Sequence, residues 1–132
     1  MEIKPLVRYM LLCDDWFVDP DHRSRVHIVG LISNIRSLEE PPYPFLFREF
    51  CVYLALTEGR GQGTGRIVCV FEDSGQPIFQ TRPRLISFGS DPLAVIGVPY
   101  RISDCRFPEA GLYTVQFWFD DEKLAECPLR LR

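Results

Sequence analysis

Three groups of residues have types and spacing that could support chemistry. The first is Gly61, Gly63 and Gly65, which alternate as in a phosphate cradle. Such glycines act where a strand meets a helix whose N-terminal amides face the anion. Here the following segment, Arg66 to Phe71, reads as strand and no Lys-Ser/Thr pair follows, so the glycines are expected in a hairpin loop. The second group is acidic: Asp14, Asp15, Asp19 and Asp21 early, Asp120, Asp121 and Glu122 late. Brought together at one end of a fold, these hard oxygen ligands would suit calcium, although neither run has EF-hand spacing. The third group suits binding. Trp118 beside Gln116, Arg82 and Arg84 around Pro83, and Trp16 are residue types that anchor interfaces or grip carboxylates and phosphates.

Nucleophilic catalysis finds little material. The sequence has no Gly-x-Ser-x-Gly, and His22 and His27 are its two histidines. Cys13 stands next to Asp14 rather than a cation, and a thiol becomes a useful nucleophile chiefly when a positive neighbour or a helix N-terminus lowers its pKa. No enzyme activity and no cofactor are expected.

The elements that must position these groups are strands. A chain of 132 residues, 46% hydrophobic and 13% aromatic, suits a single globular β domain spanning residues 1–132. Net charge is −3, and the two halves carry nine acidic with eight basic and nine acidic with seven basic side chains, so no positive excess favours nucleic acid. Thirteen of the fifteen basic residues are arginine, which codon bias explains as well as selection for bidentate contacts does. Five cysteines, none in a C-x-x-C pair, sit in or beside apolar runs and point to a reducing compartment. The N-terminal Met1-Glu2-Ile3-Lys4-Pro5 leads into an apolar run too short for a signal peptide or a membrane span. A cytoplasmic protein is expected.

The clearest strand is Tyr113 to Phe119, with Tyr113, Val115, Phe117 and Phe119 on one side and Thr114, Gln116 and Trp118 on the other. A four-residue connection, Asp120 to Lys123, leads to a closing strand in which Cys127, Leu129 and Leu131 face inward, and Pro128 marks it as an edge strand or one that pairs only on its other side. Leu6 to Cys13 opens the fold, apolar on both faces, with Val7, Tyr9, Leu11 and Cys13 together; Asp14 to Ser24 is expected to be a turn whose Trp16-Phe17-Val18 docks on the body. Arg25 to Ile35 reads as strand, with Gly30 at a bulge or close backbone approach. The Pro41-Pro42-Tyr43-Pro44 stretch is a stiff crossover between sheets. Glu49 to Thr57 and Arg66 to Phe71 read as a hairpin pair, Pro77 to Thr81 as a short strand, Arg82 to Pro92 mostly as loop, and Leu93 to Ile102 as a strand interrupted at Pro99. About eight short strands with Gly, Pro and Asp turns predict an all-β, antiparallel two-sheet sandwich, immunoglobulin-like or C2-like in architecture, with a small open barrel as the alternative. Gly111-Leu112-Tyr113 after a proline-bracketed corner matches the corner tyrosine of some sandwiches, whose hydroxyl bonds backbone.

The run Arg8-Tyr9-Met10-Leu11-Leu12-Cys13-Asp14-Asp15, then Val29-Gly30-Leu31-Ile32, then Phe107-Pro108-Glu109-Ala110-Gly111-Leu112-Tyr113 and Leu124 to Leu129 resembles a family of small uncharacterised bacterial proteins, a domain of unknown function. The resemblance covers most of the chain and implies a bacterial β-sandwich. It carries over no catalytic residues. The function expected is that of a non-enzymatic protein-interaction or accessory module, with a protein partner or self-association; the alternative is a small-ligand or calcium-binding sandwich that uses Asp14, Asp15, Asp19, Asp120 and Asp121.

Overall fold

A computed structural model describes residues 3–132, so Met1 and Glu2, the head of the N-terminal segment considered above, lie outside the described residues. Among the described residues ten strands form in the order β1 (Leu6–Val18), β2 (Val26–Leu31), β3 (Asn34–Ile35), β4 (Phe45–Thr57), β5 (Gln62–Phe71), β6 (Pro77–Gln80), β7 (Arg84–Ser87), β8 (Ile96–Phe107), β9 (Gly111–Phe119) and β10 (Glu122–Leu131). Two sheets face each other. One runs β2-β1-β4-β8; the other runs β3-β10-β9-β5-β6, with β7 also paired to β5. The sandwich expected from the alternating patterns is therefore present, and no barrel closes. The two strands beyond the expected eight are the shortest additions: β3 has two residues and β7 has four, too few for periodicity to register.

The core is the set of inward positions of both sheets. Phe50, Val52, Leu54 and Leu56 of β4 meet Ile67 and Cys69 of β5 and Tyr113, Val115, Phe117 and Phe119 of β9, all essentially inaccessible to water. β9 is the centre of its sheet, flanked by β5 and β10, which is why its alternation is so regular. The corner expected at Tyr113 forms: its hydroxyl donates to the Glu109 carbonyl at 2.7 Å, tying the turn that carries the chain from β8 in one sheet to β9 in the other. The proline-rich crossover likewise links β3 to β4 across the sheets, and the Tyr43 hydroxyl pins it to the Arg132 carbonyl at 2.8 Å.

Several details depart from the sequence reading, each for a local reason. β4 and β5 do not pair; they sit in different sheets, because β4 is central between β1 and β8 and its backbone groups are already satisfied on both edges. The Asp14 to Val18 segment is not turn but the second half of β1, paired residue by residue with β2 (Trp16 opposite Ile28, Phe17 opposite His27); the turn lies beyond, from Asp19 to Arg25. A bulge between Val7 and Tyr9 turns Val7 to the core beside Met10 and Leu12, while Tyr9 stays outside on Tyr53. In β8 the alternation slips at Asp104, which adopts a left-handed φ of 54°, so that both Ile102 and Cys105 face the core. The β9–β10 connection is also tighter than expected: Glu122 already pairs with Phe119, and a register shift between Lys123 and Ala125 restores the inward phase of Leu129 and Leu131.

Candidate functional site

The glycine-rich segment has a packing explanation. Gln62 to Gly65 are part of β5 and pair with β7. A side chain built on Gly59 would meet the Phe88 ring at 2.7 Å, one on Gly63 would meet Phe119 at 2.3 Å, and one on Gly65 would meet the Tyr100 hydroxyl at 2.6 Å. The three glycines make room for aromatic rings that close this end of the core.

The acidic residues do not converge. Asp19 caps the β1–β2 turn: its carboxylate accepts the Asp21 and His22 amides at 2.8 and 3.0 Å and pairs with His27 at 2.7 Å. Asp15 lies against Arg101, which also holds Glu49. Asp14 packs on Gly30, whose φ is +66°; what approaches this glycine is a side-chain carboxylate rather than backbone. Asp120 belongs to the other end of the molecule, bound to the Thr64 amide at 3.0 Å near Ile3 and Lys4, where β1 begins. Asp121 is exposed in the turn beside it. Among the described residues no group of three or more His, Cys, Asp or Glu side chains is placed to hold a metal.

The Asp19 cap makes a pH prediction. Its hydrogen bond with His27, followed by those from the backbone amides, lowers its carboxyl pKa below the ordinary value. A carboxyl whose pKa is lower folded than unfolded stabilises the native state at neutral pH, and that contribution is lost as pH falls through the folded pKa. The melting temperature of the wild type is therefore expected to exceed that of Asp19→Asn at neutral pH, with the gap closing in acid; a gap unchanged by pH would contradict the cap.

The thiols are held protonated. Burial, with the neighbouring Cys51 and the nearby carboxylates, pushes Cys13 up to about 11, and burial pushes Cys105 to about 12 and raises Cys51, Cys69 and Cys127. All five are free. Such thiols behave as core residues rather than nucleophiles.

The proposed binding residues are separated. Trp118 is half-buried on the outer face of the six-stranded sheet, with the Arg66 guanidinium 5.3 Å from its ring centre and its indole N–H donating to Gln116 at 2.9 Å. Neither the opposite sheet nor Trp16 covers it. Trp16 belongs to the other sheet and leans on Tyr53, ring centres 5.6 Å apart. Arg84 does not wait for a ligand: in β7 it lies over the Tyr100 ring and donates to the Pro99 carbonyl, bridging the open side between β7 and the edge strand β8. Arg82 is exposed in the link between β6 and β7, and Arg84, at the start of β7, is exposed as well.

Sequence reasoning missed the surface that stands out most, the hairpin of β1 and β2. β2 is an edge strand, and its Val26, Val29 and Leu31 are 37%, 44% and 70% exposed, beside exposed Phe17 and Val18 on β1. Below it, β1 and β10 close the side of the sandwich through the Cys127 thiol and the Met10 carbonyl, 3.2 Å apart, leaving a groove of about 380 Å³ lined by Leu12, Leu31, Ile32 and Pro128. The signal was present in Val26-His27-Ile28-Val29-Gly30-Leu31, an apolar strand without lysine or proline.

Fold and surface together define a two-sheet, all-β sandwich with an apolar hairpin at one edge. The chain belongs to a family of unknown function (DUF6941), whose pattern matches residues 8–132. No curated protein matches its sequence.

Proposed function

We propose that this chain is a non-enzymatic protein-interaction or accessory module of the bacterial cytoplasm, working through the edge of its four-stranded sheet. The observation that carries the reading is the exposed apolar strand β2, whose outer edge has no neighbour in the sheet among the described residues. An unpaired edge offers a row of backbone donors and acceptors to an incoming strand, and flanking apolar side chains supply the affinity. The raised thiol pKa values and the engagement of His27 by Asp19 favour binding over nucleophilic or acid–base chemistry.

Affinity purification of the tagged protein from its host, with mass spectrometry, tests the reading. The wild type is expected to retain a stoichiometric partner, either another protein or an untagged copy of itself. Val29→Lys is expected to lose it by placing a charge on the free edge, while Trp118→Ala keeps it. A wild type that retains nothing, or a Val29→Lys variant that retains everything, removes the edge from consideration.

A further inference from the structure

Cys13 of β1 and Cys51 of β4 are directly opposed across two neighbouring strands, and neither belongs to the core. Phe50 and Val52 on either side of Cys51 point inward, as does Leu12 beside Cys13, so both thiols lie on the outer face of the four-stranded sheet. Yet neither residue has any accessible surface. Tyr53, opposite Leu11, lies on one side of the pair and Trp16 on the other; their rings are 5.6 Å apart, so that contact crosses the pair and keeps water off it.

The same pair is the last rung between β1 and β4. Their ladder runs from Leu6 with Thr57 to Cys13 with Cys51; beyond it the rest of β1 pairs with β2 alone, and Phe45 to Glu49 of β4 with β8 alone. Past the rung, Arg101 of β8 ties the parting strands by reaching Asp15 at 3.2 Å and also Glu49. All three side chains are about half exposed, and ion pairs in that setting hold only loosely. The rung is therefore the root from which the β1–β2 hairpin stands off the body.

Opposed residues of antiparallel strands have Cα atoms about 4.5–5.5 Å apart, inside the range of about 4.4–6.8 Å that a disulfide spans. Their Cβ atoms stand about 4.5–5.5 Å apart, against about 3.5–4.5 Å in a disulfide. Closing the bond draws the strands together by up to about 1 Å. In the middle of a ladder the rungs on both sides resist that movement, whereas at its open end one strand is free to follow. The strain that is left makes the bond readily reducible. The other cysteines lack this arrangement: Cys69 and Cys105 come from opposite sheets within the core, and Cys127 bonds to the Met10 carbonyl.

We infer that Cys13 and Cys51 form a reversible cross-strand disulfide that clamps the root of the β1–β2 hairpin, with a small-molecule disulfide such as oxidised glutathione as the oxidant. One thiolate attacks the oxidant, forming a mixed disulfide and releasing one small thiol; the second protein thiol gives its proton to water and displaces the other. Two protein thiols are oxidised to a disulfide, the oxidant is reduced to two thiols, and the protons lost by the protein are taken up by the leaving groups. In the closed rung burial holds both thiols protonated, so the reaction runs through fraying of the rung, which uncovers them. A transient bond of this kind is compatible with a reducing compartment. It holds whether or not β2 has a partner.

The full chain, equilibrated in native buffer with oxidised and reduced glutathione, quenched with N-ethylmaleimide in denaturant and mapped by peptide mass spectrometry, tests the clamp, with circular dichroism following the fold. The wild type is expected to pass from five free thiols to three, with Cys13 and Cys51 joined within one chain, and to return to five when excess reduced glutathione is restored. Cys127→Ala should still form the bond. Cys51→Ala, or Cys13→Ala if the first does not fold, should form no intramolecular disulfide. Amide hydrogen exchange from Asp14 to Leu31 is expected to slow in the oxidised form. Five free thiols in the oxidised, folded wild type, a bond between any other pair, a mixed disulfide that never closes, a bond that excess glutathione leaves intact, or hairpin exchange unchanged by oxidation would each overturn the inference.

Discussion

Phe117→Ala is expected to lower the free energy of unfolding by about 3–5 kcal/mol, as a large ring removed from a packed interior leaves both lost burial and a cavity. Phe117 has no accessible surface, lies in the middle of β9 opposite Ile67 of β5 and Ala125 of β10, and reaches across the core to Tyr100 of the facing sheet, ring centres 6.4 Å apart. Both neighbouring strands hold its backbone, so the site cannot collapse by moving one strand. Domains are stable by only about 5–15 kcal/mol, and a loss of this size consumes much of that margin. Chemical denaturation gives the check. A loss below about 1 kcal/mol would mean that β9 is not the centre of the core.

How far such positions can be read from sequence depends on what their neighbours are. β9 was legible because it has a core on one face and solvent on the other, so burial imposes a strict period of two. β4 was legible as a strand but not in its partners: from Phe50 to Thr57 every residue is buried, since Tyr9 and Trp16 crowd its outer face around Tyr53, and a strand buried on both sides gives no clue to which sheet it joins. The second half of β1 was obscured because its aspartates are turn formers in isolation, whereas here Asp15 is held by Arg101 from β8, far away in sequence. The Arg84 contact with Pro99 also joins two separate strands, and without it Arg82-Pro83-Arg84 resembles a free anion clamp. The exposed apolar edge was hidden for a different reason. Val26 to Leu31 is as apolar as a core strand, and only the sheet order reveals that it has one neighbour instead of two.

The glycine-rich segment separates a ligand loop from a packing device, and Gly65→Ala decides between them. The added methyl would stand 2.6 Å from the Tyr100 hydroxyl oxygen, 2.7 Å from the Ile86 Cδ1 and 3.0 Å from the Phe117 ring. Overfilling a packed core in this way costs about 1–3 kcal/mol, because side chains must leave their preferred rotamers. A glycine kept for backbone approach to an anion would leave stability nearly unchanged. The nearest obstruction also predicts its own relief. The Tyr100 hydroxyl is buried and has no hydrogen-bond partner among the described residues, and burial raises its pKa to about 12. Tyr100→Phe removes that oxygen without losing the ring, and an unpaired buried polar group costs about 1–3 kcal/mol to keep. Tyr100→Phe alone is therefore expected to be neutral or stabilising, and the Gly65→Ala/Tyr100→Phe double variant should be more stable than the sum of the two single changes predicts. Groups in contact couple by about 0.5–3 kcal/mol in such cycles. Strict additivity would place the clash on Ile86 and Phe117 instead, and equal stability of Gly65→Ala and wild type would return the segment to the list of candidate ligand loops.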